Sequence, residues 1–121
     1  MRTSTYLVAV LLSATALIQS PAWAHAALAS AEPASNVILT ASPAMVTLHF
    51  TEKLEASFSS IKVMDAIGQS VTTQKAELDV ADPTILHVAL PALQGGKYNV
   101  QWTAIGHDGH RRTGHYAFSV K

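Results

Sequence analysis

Lys97-Tyr98-Asn99-Val100-Gln101-Trp102-Thr103-Ala104-Ile105 decides the fold class of this chain. Tyr98, Val100, Trp102 and Ala104 fall on one side of an extended segment, and Asn99, Gln101 and Thr103 on the other. That period of two marks a half-buried strand. Leu93-Gln94-Gly95-Gly96 just before it reads as a turn. A Tyr entering a strand after a glycine turn has the pattern of a tyrosine corner, whose hydroxyl ties back onto the preceding loop. Trp102, on the same face, is the expected core anchor.

The same period appears on both sides of this stretch. Val46, Leu48 and Phe50 alternate with Thr47 and His49 in Met45–Phe50. Ile61 and Val63 face inward in Ser60–Met64, and Asp65-Ala66-Ile67-Gly68 closes a turn behind them. Ile85–Leu90 groups Leu86, Val88 and Leu90 between Asp82-Pro83 and Pro91. His115–Val120 groups Tyr116, Phe118 and Val120. Ala26–Ser30 is a weaker first strand, followed by a turn at Glu32-Pro33-Ala34-Ser35-Asn36. No useful window carries a 3.6-residue apolar period. These segments predict an all-β fold: a small antiparallel Greek-key β-sandwich or barrel, immunoglobulin-like, with about seven strands.

The first residues have a different character. Arg2 gives a short positive region, and Tyr6–Ile18 is an apolar run of about 13 residues, short of the roughly 20 that span a bilayer as a helix. Pro21 breaks the run, and Ala22-Trp23-Ala24 fits the small-x-small pattern of signal peptidase. The expectation is a cleaved secretory signal peptide at residues 1–24, with a retained membrane anchor as the alternative, and one exported β-domain at 25–121. Losing Arg2 leaves seven Lys and Arg against eight Asp and Glu. No basic stripe points to nucleic acid. With no cysteine in the chain, disulfides and thiolate metal sites are excluded.

Cleavage after Ala24 would expose His25 as residue one. An N-terminal His offers its amine and its imidazole Nδ1 to one metal, closing a six-membered chelate ring. The second concentration of donors is Gly106-His107-Asp108-Gly109-His110. In an extended backbone Asp108 and His110 project from one face, while Asp-Gly is equally a hairpin turn. Amine, imidazoles and one carboxylate form an N,O ligand set suited to tetragonal Cu(II). His49 and His87 fall on polar strand faces without partners at ligand spacing, so a surface role is the expectation for both. Arg111 and Arg112 read as solvated loop charges.

His25-Ala26-Ala27-Leu28, Leu48-His49-Phe50-Thr51-Glu52-Lys53-Leu54, Gly96-Lys97-Tyr98-Asn99-Val100-Gln101-Trp102 and Asp108-Gly109-His110-x-x-x-Gly114-x-x-x-Phe118-x-Val120 together resemble the CopC/PcoC family. The resemblance covers essentially the whole chain after residue 24. It implies a periplasmic copper-binding protein of copper resistance or uptake on a Greek-key β-barrel. It also implies one Cu(II) per chain held by His25, Asp108 and His110, with Glu52 as a lower-ranked neighbour. A CopD-type inner-membrane copper transporter is the implied partner, and the chain is expected to be a monomer without enzymatic activity. Some members carry a methionine-rich Cu(I) loop. Here Met45 and Met64 are the methionines after residue 24 and they do not cluster, so no dedicated Cu(I) site is expected. Two other functions compete: a copper monooxygenase using an N-terminal His, and a metal-free interaction sandwich.

Overall fold

Alternating side chains give each sheet one apolar face, and two such faces close on each other. The computed structural model describes residues 27–121. Among them are eight strands: β1 (Leu28–Glu32), β2 (Ile38–Leu39), β3 (Met45–Phe50), β4 (Ser60–Met64), β5 (Glu77–Leu78), β6 (Ile85–Ala89), β7 (Gly96–Ile105) and β8 (Arg111–Val120), with a 3₁₀ turn at Ala56–Phe58. One sheet has the order β1-β3-β6-β5 and the other β2-β8-β7-β4. All pairings are antiparallel except β2 with β8, which run parallel. The expected all-β sandwich is the observed fold.

The core lies between the sheets. Val46, Leu48, Phe50, Leu86 and Val88 come from one, and Ile61, Val63, Tyr98, Val100, Ala104, Phe118 and Val120 from the other, all buried. Each large apolar side chain taken fully out of water contributes roughly 1.5–3 kcal/mol. The predicted inward residues of β3, β4 and β6 all sit as their alternation requires, with Leu90 partly buried against the core. Tyr98 stacks on Phe118 at 5.6 Å between centroids.

The tyrosine corner is present. Tyr98 Oη donates to the Gln94 carbonyl at 2.6 Å, fixing the Gly95-Gly96 turn to the strand that leaves it. Tyr98→Phe keeps the ring and removes that bond. A loss of about 1 kcal/mol is expected, the usual net worth of one internal hydrogen bond, read as a lower urea midpoint at unchanged m-value.

Four features depart from the sequence reading. The first strand is Leu28–Glu32, so Glu32 belongs to it and not to the turn that follows. The last strand begins at Arg111 rather than His115, because ten residues of β8 pair with all ten of β7. Ile38–Leu39 and Glu77–Leu78 are two-residue strands, too short for any alternation to mark. Trp102 is only half-buried: its ring meets Phe50 edge-on at 5.1 Å and lies over Gly114, its partner across β7 and β8.

Candidate metal centre

β7 and β8 are joined by Gly106–His110 at one end of the sandwich. Gly109 N–H donates to the Gly106 carbonyl at 2.9 Å and Gly106 N–H to the His110 carbonyl at 3.1 Å. Gly109 takes φ +82°, the left-handed conformation that a turn-plus-bulge hairpin demands and that glycine adopts without steric strain. The extended reading of this segment is thus corrected: His107 and Asp108 are the central residues of the hairpin turn and Gly109 is the residue that closes it.

The turn nevertheless brings Asp108 and His110 together, by another route. Asp108 Oδ1 accepts the backbone N–H of His110 at 3.0 Å, and Asp108 Oδ2 lies 3.0 Å from His110 Nδ1. A short carboxylate bonding its own backbone two residues on is an Asx turn. When Nδ1 donates to the carboxylate, the neutral imidazole carries its lone pair on Nε2. A histidine oriented by a carboxylate in this way is the usual preparation for metal binding.

The chain just after β3 runs between this hairpin and the first described residues. Ala27 N–H donates to Thr51 Oγ1 at 3.0 Å, and Thr51 N–H to the Ala27 carbonyl at 2.9 Å. Two residues further, the Lys53 carbonyl accepts His107 N–H at 3.1 Å, and Leu54 bridges Gly106. Thr51–Leu54 therefore holds Ala27 and the hairpin at the same end of the molecule. Glu52 lies on this connector but does not join Asp108 and His110 in a group of three. Among the described residues no such group of His, Asp and Glu occurs. His25 lies outside the described residues.

Several supports of the hairpin carry no sequence pattern. His107 Nδ1 lies 3.0 Å from Glu55 Oε1, both side chains being well exposed. Buried Ser59 donates to the Glu55 carbonyl at 2.8 Å and accepts Ile105 N–H at 3.1 Å. These contacts cross from the 3₁₀ turn to the end of β7, a separation that no local motif reports.

The other histidines have structural settings of their own. His49 faces Asp82, whose carboxyl is held below its usual range chiefly by the Thr84 hydroxyl and backbone N–H, with His49 and Lys53 adding to the effect. His87 lies between Thr47 and Glu77 on neighbouring strands. Burial pushes the Tyr116 hydroxyl up to about 12, so at neutral pH it is a phenol and no anionic ligand.

Residues 28–121 match the family model described as the CopC domain. The chain is 38% identical over 121 residues to Protein YobA of Escherichia coli K12, covering 99% of this chain and 96% of that protein. It is 35% identical over 117 residues to Copper resistance protein C of Pseudomonas syringae pv. tomato, covering 92% of each. The crystal structure of CopC from Methylosinus trichosporium OB3b superposes with a TM-score of 0.76 at 33% identity, over 80% of this chain and 94% of that one. A match across nearly the whole domain, in sequence and in fold, leaves one assignment: the chain belongs to the CopC family.

Proposed function

We propose that this protein is an exported, periplasmic copper-binding protein of copper resistance or homeostasis. In this reading it holds one Cu(II) through the amine and imidazole of His25, the Asp108 carboxylate and the His110 imidazole. It would buffer the ion or pass it to a CopD-type transporter in the inner membrane. Family membership and the copper resistance protein among its relatives support copper as the ligand.

The observation that carries the ligand assignment is the pairing of Asp108 with His110 at the end of the sandwich where Ala27 is anchored. His25 precedes Ala27 by two residues, so covalent geometry keeps the two Cα atoms within about 7 Å. Two imidazoles, an amine and a carboxylate are borderline and hard donors. They suit Cu(II) above other divalent ions, and without a thiolate or thioether they offer little to Cu(I). Glu52, next to Thr51 on the connector, is the lower-ranked candidate for a further oxygen ligand.

Asp108→Ala and His110→Ala should each weaken Cu(II) binding by at least the 10–100-fold that loss of an outer-shell partner typically costs. His49→Ala and His87→Ala should leave it within about twofold, since each has a structural setting elsewhere. Competition titration against a chromophoric chelator reads all four. Equal losses across the set would mean diffuse adsorption and end the assignment.

A further inference from the structure

The two sheets carry opposite charge. The strands of the β2-β8-β7-β4 sheet contain Lys62, Lys97, Arg111 and Arg112 and no Asp or Glu. Those of the β1-β3-β6-β5 sheet contain Glu32 and Glu77 and no Lys or Arg. The formal net charge of the chain is zero, so the separation comes from where the charges are placed. We propose that the outer face of the β2-β8-β7-β4 sheet is a docking surface for an acidic segment of a partner protein.

Alternation puts three of these four cations on that face, Arg112 falling out of phase with Arg111 on β8. Tyr98, Val100, Val63 and Phe118 point into the core, so Lys97, Lys62, Arg111 and His115 point away from it, and all four are exposed. Lys62, Gln101 and His115 form one row across β4, β7 and β8, and Ser60, Thr103 and Thr113 form the next. Together these six line a depression of about 440 Å³. Hydroxyl and amide donors between cations are the chemistry that receives carboxylates.

The depression adjoins a second of about 670 Å³, lined by Glu55, Phe58, Ile105, His107 and Arg111 at the Asp108–His110 hairpin. Phe58 is 72% exposed. An exposed aromatic next to an Arg is the composition that protein interfaces favour at their centres. Two carboxylates border this face: Glu55 lies 3.0 Å from His107 Nδ1, and Asp65, beside Lys97 in a further depression, accepts the backbone N–H groups of Ile67 and Gln69. Nothing acidic on the strands neutralises the surface from within.

The spacing favours a protein over a lipid headgroup layer. Membrane recognition by basic surfaces uses clusters of 4–8 Lys and Arg, and here three cations are spread over the sheet: Lys97 on β7, Lys62 on β4 beside Gln101, and Arg111 on β8 beside Ile105. From Lys97 to the Ile105–Arg111 pair is eight residues, about 27 Å at 3.4 Å per residue. An extended acidic segment spans that length and ends at the hairpin.

The test uses the exported protein free of metal, so it stands apart from the copper assignment. The ¹⁵N-labelled protein is titrated with a short poly-L-glutamate peptide at an ionic strength where the Debye length is about 30 Å. Amide shifts are expected at Ser60, Lys62, Thr103, Arg111 and Thr113 and not on β1, β3 or β6. Lys62→Glu with Arg111→Glu should weaken binding at least tenfold, Lys62→Gln with Arg111→Gln by less, and Glu77→Lys should not weaken it. Lys62→Glu alone should keep the parent Cu(II) affinity. Shifts spread over both faces would overturn the proposal. So would binding to phosphatidylglycerol vesicles with none to the peptide, or self-association at low salt abolished by Glu77→Lys.

Discussion

Protein that keeps one residue ahead of His25 should bind Cu(II) at least about 100-fold more weakly than protein beginning at His25, a larger loss than removal of an outer-shell partner produces. The extra residue turns the α-amine into an amide, whose nitrogen has no basic lone pair. The imidazole of His25, Asp108 and His110 stay in place, so only the chelate is lost. In the proposed site that chelate would fix two nitrogens at one vertex with little remaining freedom. Competition titration of cytoplasmic protein with a retained Met, against exported protein of verified intact mass, makes the comparison. Undiminished affinity in the extended chain would show that His25 acts through its side chain alone. Ala24-His25-Ala26 also fits the small-x-small pattern, and an exported mass beginning after Ala26 would remove His25 and with it the proposed site.

Gly114→Ala should destabilise the fold by about 3 kcal/mol, the upper range for overpacking a filled site. A Cβ built there lies 2.3 Å from Trp102 Cζ2 and 2.5 Å from Trp102 Cε2. The indole cannot retreat easily, because its other side meets Phe50 edge-on at 5.1 Å. The two residues are direct partners across β7 and β8, so the glycine is a space requirement of the tryptophan. Urea unfolding of Gly114→Ala in the parent and in a Trp102→Leu background measures the coupling. The penalty should fall below about 1 kcal/mol once the ring is gone. The same penalty in both backgrounds would place the effect in the backbone instead.

Gly114 shows what a linear motif hides. In sequence it is one member of the run Asp108-Gly109-His110-x-x-x-Gly114-x-x-x-Phe118-x-Val120, which names no partner for it across the sheet. In the structure it is the floor under Trp102. The Asp108–His110 pairing shows the converse. Strand alternation put the two residues on one face, whereas the structure unites them through a turn in which Asp108 caps His110. The expected proximity holds because an i, i+2 relation within a hairpin is local, whichever conformation supplies it.

Charge separation between the sheets belongs to a third kind of information. Lys62, Lys97 and Arg111 are scattered over fifty residues of sequence, and read singly each is a solvated charge. They become one surface only because β4, β7 and β8 are neighbours.

The sequence by itself determined everything that repeats at short range. Six strands, their inward faces, the tyrosine corner and the donor pair near Gly109 follow from side-chain period and turn chemistry, which act between near neighbours. Tertiary structure alone decided the two short strands β2 and β5, the anchoring of Ala27 at Thr51, the ties from Lys53 and Glu55 to the hairpin, and the seat of Trp102 on Gly114. Each of these joins residues that are distant in the chain or too few to show a period. Their pairing depends on which strands lie side by side, and that is settled only when both apolar faces close over one core.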